Sequence, residues 1–337
     1  MNSSFLFNVT TIAYFAAMVI FIVYLAGKSK TVGFVATLIC WAGFLANTGA
    51  IGMRWVEAYD MGYQQAPLSN LYESVVFFAW SILLIYLLFD LKYKQRAIGA
   101  FVIPFAFGGM IWAQWSLDAT IAPLVPALQS NWLTYHVITC FIGYAAFAMA
   151  CGVSIMYLIK VGKEEKSAEE SPIGGILGMF PSTKVLDDLN YKAIMVGFPM
   201  LTLGIITGAA WANYAWGTYW SWDPKETWSL IVWFIYAAFL HARFTRGWVG
   251  RRVAWLSIFG FAATIFCYLG VNLVLDQQGQ IVLRLCFCHC RGCGRLQGRT
   301  NDCFDRTVSR GSHFLQHSFY AARNGNKINA RPLKFLF

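Results

Sequence analysis

Residues 134–159 read TYHVITCFIGYAAFAMACGVSIMYLI, a run without a single Asp, Glu, Lys or Arg. A helix that crosses the apolar core of a bilayer needs about 20 consecutive apolar residues, and this run is longer. In lipid, a helix satisfies all of its own backbone hydrogen-bonding groups. The stretch therefore predicts a membrane-spanning helix, and it decides the fold class of the chain.

Seven further segments have the same character, and the overall composition agrees with them. Of the 337 residues, 58% are hydrophobic and 12% are charged, whereas soluble domains carry about 25% charged residues. No basic residue precedes the first apolar run, so we interpret that run as a retained span and not as a signal peptide. The sequence predicts an all-α, polytopic membrane helical bundle with about eight transmembrane helices, at residues 8–27, 33–53, 71–89, 97–115, 134–159, 193–211, 228–242 and 253–275.

The basic residues between these helices predict the orientation of the bundle. Fourteen Lys and Arg lie in the loops of one side, and only Arg54 and Lys225 lie on the other. Because cytoplasmic loops carry an excess of Lys and Arg, the rich side is predicted to be cytoplasmic. Both ends of the helical body then lie on the outer side, together with loops 54–70, 116–133 and 212–227.

The spacing of the helices predicts four regions. Residues 1–160 form a first membrane block of five helices, 161–192 a polar cytoplasmic loop, 193–275 a second block with an outer Trp-rich loop at 211–228, and 276–337 a tail. The tail has 10 Lys and Arg against 3 Asp and Glu, whereas the body has 16 against 13. The basic character therefore belongs mainly to the tail, and it does not favour a nucleic acid partner.

Tryptophan is concentrated in the outer loop. Six of the 14 tryptophans fall within residues 211–233. Trp and Tyr collect at membrane interfaces in general, so one interpretation is an aromatic belt. A dense group of rigid rings also suits the face of a large planar apolar ligand. Composition alone leaves both interpretations open.

The order of the residues adds a family resemblance. Residues 216–228, WGTYWSWDPKETW, closely resemble the tryptophan-rich (WWD) signature of the haem-handling protein superfamily. The second half of that string is similar to the CcsA (ResC) branch of cytochrome c biogenesis proteins. Pro67–Ser74 (PLSNLYES) and Tyr268–Asn272 (YLGVN) are also similar to that branch. The resemblance covers residues 1–275.

The resemblance implies a function in haem export. A protein of this kind moves haem b outward across the bacterial inner (cytoplasmic) membrane and presents it to apocytochrome c for thioether attachment. It would be one half of a holocytochrome c synthase (cytochrome c haem lyase), with its Trp-rich loop on the periplasmic side. The implied partners are a CcsB (ResB)-type membrane protein, apocytochrome c and a thiol-reducing thioredoxin-like protein, in a surround of membrane lipid.

Two other functions are compatible with the sequence. A haem exporter or chaperone, similar to the CcmC proteins, would deliver haem to a carrier without catalysing its attachment. A secondary transporter or assembly subunit would carry an aromatic belt and bind no haem. No catalytic nucleophile or acid–base pair stands out in the sequence, which favours a role in binding and orientation.

The body contains two histidines, His136 and His241. A histidine in a membrane span is often a hydrogen-bonding residue of the helix packing, yet ionisable groups in spans are also functional candidates, and imidazole is a common axial ligand of haem iron. His136 opens the fifth span near the outer boundary, and His241 closes the seventh span near the cytoplasmic side. The resemblance implies that His136 is an outer iron ligand and that His241 is a ligand within the membrane.

The resemblance also implies haem-binding roles for residues of the Trp-rich loop: Trp216, Tyr219, Trp220, Trp222 and Asp223. Asp223 and Glu226 are in addition predicted to cap the start of the seventh helix, near Thr227. Arg54 and Lys225 are candidates for binding the haem propionates, although ordinary solvated charges would look the same. Glu73 is a candidate for ordering the haem site.

The tail departs from the resemblance. A second outer His is expected near position 280, where this chain has Asp276-Gln277-Gln278-Gly279-Gln280. The tail contains five of the nine cysteines and His289, but they lack the separated Cys-x-x-Cys pairs of a zinc site. Its Arg-rich, Cys-rich and aperiodic composition is typical of a shifted reading frame. We therefore interpret residues 276–337 as a non-native tail, with a lineage-specific extension or a metal site as alternatives.

Overall fold

The computed structural model of the chain describes residues 2–27, 29–124, 129–167 and 179–275. Within these residues the fold is entirely helical, without strands. The first four helices are α1 (Ser3–Gly27), α2 (Lys30–Asp60), α3 (Leu71–Tyr93) and α4 (Gly99–Ser116), with a short 3₁₀ turn (Arg96–Ile98) before α4. The last four are α5 (Asn131–Ser167), α6 (Thr183–Trp216), α7 (Pro224–Arg246) and α8 (Arg251–Ile265), and α8 continues as a π-helix over Phe266–Leu275.

The described part of the chain holds eight helices that are long and apolar enough to cross a membrane. They confirm the eight predicted spans in order and in number. The described residues up to Tyr268 belong to one compact unit, and residues 269–275 belong to a second.

The helices extend beyond the apolar runs from which they were predicted. The segment predicted as a polar loop at 161–192 contains the end of α5, which reaches Ser167, and the start of α6 at Thr183. Lys and Glu are good helix formers, so a polar sequence continues a helix beyond the apolar run. Hydropathy therefore locates the membrane crossing but not the end of the helix.

Burial divides the helices into a core and a periphery. In the membrane-spanning windows of α3 and α5, 72% and 78% of the residues are buried, whereas the corresponding shares for α6 and α7 are 28% and 22%. The bundle is therefore built around α3 and α5. The helices α6 and α7, which flank the Trp-rich loop, lie at its periphery.

The contact between α5 and α6 is close because glycines line it. A Cβ atom added to Gly197 would lie 2.6 Å from the Phe147 ring and 3.1 Å from the carbonyl oxygen of Gly143. A Cβ atom added to Gly204 would lie 2.5 Å from the thiol sulfur of Cys140. In lipid, helices associate through packing and interhelical hydrogen bonds, and small residues let their backbones approach. The two helices run antiparallel at this contact.

We expect Gly197→Ala to destabilise the protein. The added methyl group meets Phe147 and the backbone of Gly143, so α5 and α6 must separate, at a cost of about 1–3 kcal/mol. Gly108→Ala in α4 is the matched control, because a Cβ atom there meets nothing within 4 Å. Thermal unfolding in detergent, followed by tryptophan fluorescence, should show a lower midpoint for Gly197→Ala only. Equal midpoints for the two variants would contradict the close packing.

Candidate functional site

The Trp-rich segment, predicted as an outer loop over residues 211–228, is largely helical: α6 extends to Trp216, α7 begins at Pro224, and only residues 217–223 form the connection between them. α6 ends at Trp216, and Gly217 follows it with φ 77° and donates its N–H to the carbonyl oxygen of Asn213 at 2.9 Å. Glycine adopts this left-handed conformation without the steric cost that a side chain brings, and it commonly ends helices in this way. The chain therefore leaves α6 abruptly and begins the aromatic connection at once.

The other end of the connection is fixed by a capping box. The Asp223 carboxylate accepts the backbone N–H of Glu226 at 2.7 Å, and the Glu226 carboxylate accepts the N–H of Asp223 at 3.4 Å. Pro224 occupies the first turn, where its missing N–H costs nothing. The predicted capping roles of Asp223 and Glu226 are confirmed, with the helix starting at Pro224, a few residues before the predicted position.

The aromatic side chains of the connection are largely exposed. The exposed fractions are 47% for Trp216, 63% for Tyr219 and 69% for Trp222. Trp220 is partly buried and packs edge to face against Trp222, with ring centroids 5.7 Å apart and planes at 85°. Three of the predicted aromatic residues therefore share the short connection, and Trp216 ends α6 directly before it. Together their exposed rings offer apolar surface to a ligand.

His136 lies in the first turns of α5, packed against α6. A Cβ atom added to Gly208 would lie 2.7 Å from its Nδ1, so only glycine admits the imidazole at this distance. The Trp211 ring lies parallel to the imidazole, with centroids 6.3 Å apart and an interplanar angle of 10°. His136 is thus packed against α6, the helix that leads into the Trp-rich segment.

One hydrogen bond fixes the proton of this imidazole. The Nδ1 of His136 lies 2.7 Å from the carbonyl oxygen of Gly204. A carbonyl oxygen only accepts, so Nδ1 carries the hydrogen and donates it, and in the neutral ring Nε2 keeps its lone pair. The Cys140 thiol also lies near Nδ1, at 3.6 Å. Among the described residues no hydrogen bond engages Nε2, and an imidazole held through its other nitrogen is the usual arrangement of a metal ligand.

His241 lies at the other end of α7. Counted along the helix it is about 25 Å from Pro224. Its side chain is exposed and belongs to a stripe of exposed residues at helical spacing. The other members of that stripe are Ile231, Phe234 and Ala238. His241 therefore lies at the end of α7 away from the Trp-rich segment, and the prediction that the two histidines lie near opposite faces of the membrane stays a prediction.

Arg54 corrects one interpretation of the sequence. Its side chain is 3% exposed, and its Nε donates to a carboxylate oxygen of Glu73 at 2.7 Å. Its Nη2 donates to the carbonyl oxygen of Ala119 at 2.7 Å, and the guanidinium lies 5.1 Å from the centroid of the Tyr72 ring. Arg54 is therefore neither a solvated charge nor a free cation for a propionate. Arg54 forms a structural ion pair with Glu73, and its contacts connect the loop after α4 to α2 and α3.

Glu73 is engaged in the same structural network. Its second carboxylate oxygen accepts the backbone N–H of Ser69 at 2.8 Å and the Ser69 hydroxyl at 2.9 Å. Gln65 continues the network by donating to the Ser69 hydroxyl and to the carbonyl oxygen of Ala122. The contacts of Glu73 therefore order the loops between α2 and α3 and after α4.

Three residues of the site were not predicted as such: Gly204, Gly208 and Trp211. The sequence carries a signal for them, because the spacing of four and then three residues places all three on one face of α6. What the sequence did not indicate is the partner of that face.

The four cysteines of the body, Cys40, Cys140, Cys151 and Cys267, are buried and reduced, as predicted for small core residues.

Within the described residues, no group of three or more His, Cys, Asp or Glu side chains could hold a metal ion by itself. The position near 280 expected for a second outer ligand lies outside the described residues, as do His289 and the cysteines of the tail. The prediction of a non-native tail stays a prediction.

Comparison with known proteins gives a family match over most of the helical body. The family model "Cytochrome C assembly protein" matches residues 68–277. The chain is 42% identical to the cytochrome c biogenesis protein CcsA of Guillardia theta over 238 residues, which cover 66% of this chain and 77% of that protein. It is 38% identical to the CcsA protein of Microcystis aeruginosa over 314 residues, covering 74% of this chain and 94% of the relative.

A solved structure has a similar fold. The cytochrome c haem lyase CcmF superposes with a TM-score of 0.59 at 17% sequence identity, over 79% of this chain. The chain spans 46% of the length of that protein, so the similarity concerns the helical fold of about half of it.

We expect Arg54→Met to destabilise the protein strongly. The substitution leaves the Glu73 carboxylate buried without its cation, a loss of about 3–5 kcal/mol. The double variant Arg54→Met/Glu73→Leu removes both charges and should regain much of that stability. Lys163→Met, at an exposed position, is the control. Thermal unfolding midpoints of the three variants check this order of stability. A double variant no more stable than Arg54→Met would contradict the role of the ion pair.

Proposed function

Because the chain belongs to the cytochrome c assembly protein family, and within it to the CcsA proteins of cytochrome c biogenesis, we propose that this integral membrane protein binds haem b at its Trp-rich segment and presents it to apocytochrome c. The loop charges predict that this segment lies on the outer side of the membrane, and we propose that this is the periplasmic side of the bacterial inner membrane. The observation that carries the proposal is the hydrogen bond from His136 to Gly204, on the helix that leads into that segment.

His136 has the properties of an axial ligand of haem iron. Its Nδ1 hydrogen is donated to the Gly204 carbonyl, so Nε2 holds a lone pair directed away from that contact. The close approach of α6 at Gly208 and the hydrogen bond of Nδ1 restrict rotation of the imidazole. A ligand held in this way binds iron without a further loss of side-chain freedom.

The aromatic connection would hold the macrocycle. Trp216, Tyr219 and Trp222 expose flat apolar rings, and Trp220 supports Trp222 from the side. Lys225 lies in the first turn of α7, directly after the connection, and is the candidate partner of a haem propionate, the role that Arg54 does not fill. Asp223 contributes by fixing the end of the connection.

Bound haem supplies the vinyl groups to which the two cysteine thiols of the apocytochrome add. The residues of this chain would hold the ring at a defined position and keep one of its faces against the protein. Positioning of this kind accelerates a reaction whose bond-forming chemistry belongs to the haem and the thiols. A role in positioning the haem for attachment favours a synthase subunit over an exporter.

The position of His241 supports a partner subunit. Its imidazole is exposed on the apolar stripe of α7, where an ionisable side chain facing lipid alone would be costly. A second imidazole from a CcsB (ResB)-type membrane protein would complete a ligand pair there. The exposed residues Ile231 and Phe234 would pack against that protein. Haem would then pass from His241 toward His136 along the periphery of the bundle, where α7 is least buried.

We expect His136→Ala to weaken the haem absorption of the purified protein. The protein would be isolated with its membrane partner, and the Soret and ferrous α bands compared with those of the wild type. Adding free imidazole should restore part of the signal, because the truncated side chain leaves space at the Gly208 contact. Thr139→Val, one turn further along α5, is the control. An unchanged Soret band in His136→Ala would exclude this ligand, and a wild type that stays colourless with added haem would exclude the proposal itself.

We expect His241→Ala to lower the haem content only when the partner is co-expressed. The pair of ligands is shared between two chains, so each half alone holds haem weakly. Haem per protein, measured by the pyridine haemochrome assay with and without the partner, checks this, with Thr245→Val as the control. A haem content that does not depend on the partner would contradict the shared site.

A synthase is distinguished from an exporter by its product. We expect co-expression of the chain, its partner and an apocytochrome c to yield cytochrome with covalently attached haem, detected by haem staining after denaturing electrophoresis. A chain that restores residues beyond 275 to the CcsA pattern should give a higher yield than the present sequence. Haem delivered without covalent attachment by that restored chain would favour the exporter.

A further inference from the structure

Trp222 has an unusual backbone conformation for its residue type. Only two non-glycine residues in the described part of the chain have positive φ, Lys94 with 55° and Trp222 with 61°. Lys94 ends α3, where a left-handed residue is ordinary. Trp222 precedes the N-cap of α7, where no helix geometry requires this conformation. For a bulky side chain the left-handed region is unfavourable, so other contacts must hold Trp222 in it.

The Glu226 carboxylate provides those contacts. One of its oxygens accepts the N–H of Ser221 at 2.7 Å and the N–H of Asp223 at 3.4 Å, the two residues on either side of Trp222. The Ser221 hydroxyl lies 3.3 Å from both carboxylate oxygens. Backbone N–H groups on either side of a left-handed residue converge in this way, and an anion stabilises the arrangement.

A capping box explains only part of this geometry. In a capping box the Glu side chain accepts the N–H of the N-cap residue, here Asp223. The shorter of the two backbone bonds of Glu226, however, is to Ser221, which lies beyond the cap. Glu226 thus reaches across Trp222 to the residue before it. The carboxylate fixes the backbone of the aromatic connection as well as the helix end.

The conformation has a consequence for the indole. Trp222 is 69% exposed, so burial of its own ring does not determine its direction. Its ring contact among the described residues is the edge-to-face contact with Trp220. The backbone conformation held by Glu226 therefore decides where the most exposed tryptophan of the connection lies.

We propose that Glu226 is a positioning residue that holds Trp222 in the left-handed conformation and thereby presents its indole to the haem. The test of haem affinity below rests on the proposed function, whereas the test of the conformation of Trp222 does not. It assigns to Glu226 a role in ligand presentation through Trp222, beyond the start of α7.

The first test measures the conformation of the connection between α6 and α7 in the absence of haem. Two indoles as close as Trp220 and Trp222 couple their electronic transitions and produce paired circular dichroism bands of opposite sign in the far ultraviolet. The difference between each protein and its Trp222→Phe derivative isolates this signal from the other tryptophans. We expect Glu226→Ala and Glu226→Asp to lose the paired bands, since Asp is too short to reach Ser221. Glu226→Gln keeps an acceptor oxygen and should retain most of the signal.

The second test is a double-mutant cycle on haem affinity. We expect Glu226→Ala to weaken haem binding about tenfold, the effect of losing one hydrogen bond to a charged group. In a Trp222→Phe background the same substitution should have little further effect, because Glu226 acts through Trp222. Ser182→Ala removes the N-cap of α6 and is the control for loss of a cap alone, which should change neither readout.

The outcomes separate the two proposals. Paired bands that persist in Glu226→Ala and Glu226→Asp, or equal effects of Glu226→Ala with and without Trp222, would overturn the positioning role. If Glu226→Ala does not fold, the Asp and Gln variants decide the question. A wild type that binds no haem would contradict the proposed function, while the circular dichroism readout would still decide the conformation of Trp222.

Discussion

The close approach of α5 and α6 is the contact on which the site depends. A bilayer interior provides no hydrophobic force between helices, so their association requires good packing and interhelical hydrogen bonds. Gly197, Gly204 and Gly208 provide the space, and the space brings the His136 imidazole to the backbone of α6. The Gly204 carbonyl oxygen accepts the Thr207 hydroxyl of its own helix at 3.1 Å, and it also accepts the Nδ1 hydrogen of His136 at 2.7 Å. A single helix contact thus sets the position, the ring plane and the tautomer of the candidate ligand.

The backbone conformation of the connection between α6 and α7 is likewise set by contacts, and these lie at its two ends. Because the rings are exposed, their packing does not determine the conformation of the short chain between α6 and α7. That conformation is determined by Gly217 at one end and by Asp223 and Glu226 at the other. The rings remain accessible because the backbone is held by polar contacts. A site for a large flat ligand can therefore be preorganised without a closed pocket, which lowers the entropy lost on binding.

The sequence predicted the helices well and the roles of the charged residues less well. Long apolar runs such as residues 134–159 have one stable structure in lipid, so all eight spans were predictable. The ends of α5 and α6 were not, because Lys and Glu continue a helix beyond the apolar run. Arg54 was interpreted as an outer cation because its loop position was known and its partner was not. Glu73 lies in another helix, and the sequence does not indicate that the two side chains meet.

The same limit applies to the two histidines. Their order along the chain and the loop charges predicted opposite ends of the membrane, and α7 alone separates His241 from the Trp-rich segment by about 25 Å. What only the structure provides is their difference in environment. His136 is fixed by α6 through Nδ1, whereas the side chain of His241 is exposed among Ile231, Phe234 and Ala238. A ligand that is already oriented suits a site where a reaction needs a defined geometry. An exposed imidazole on a peripheral helix suits a site that a second membrane protein completes, and that difference supports the proposal of transient haem binding at His241 and presentation at His136.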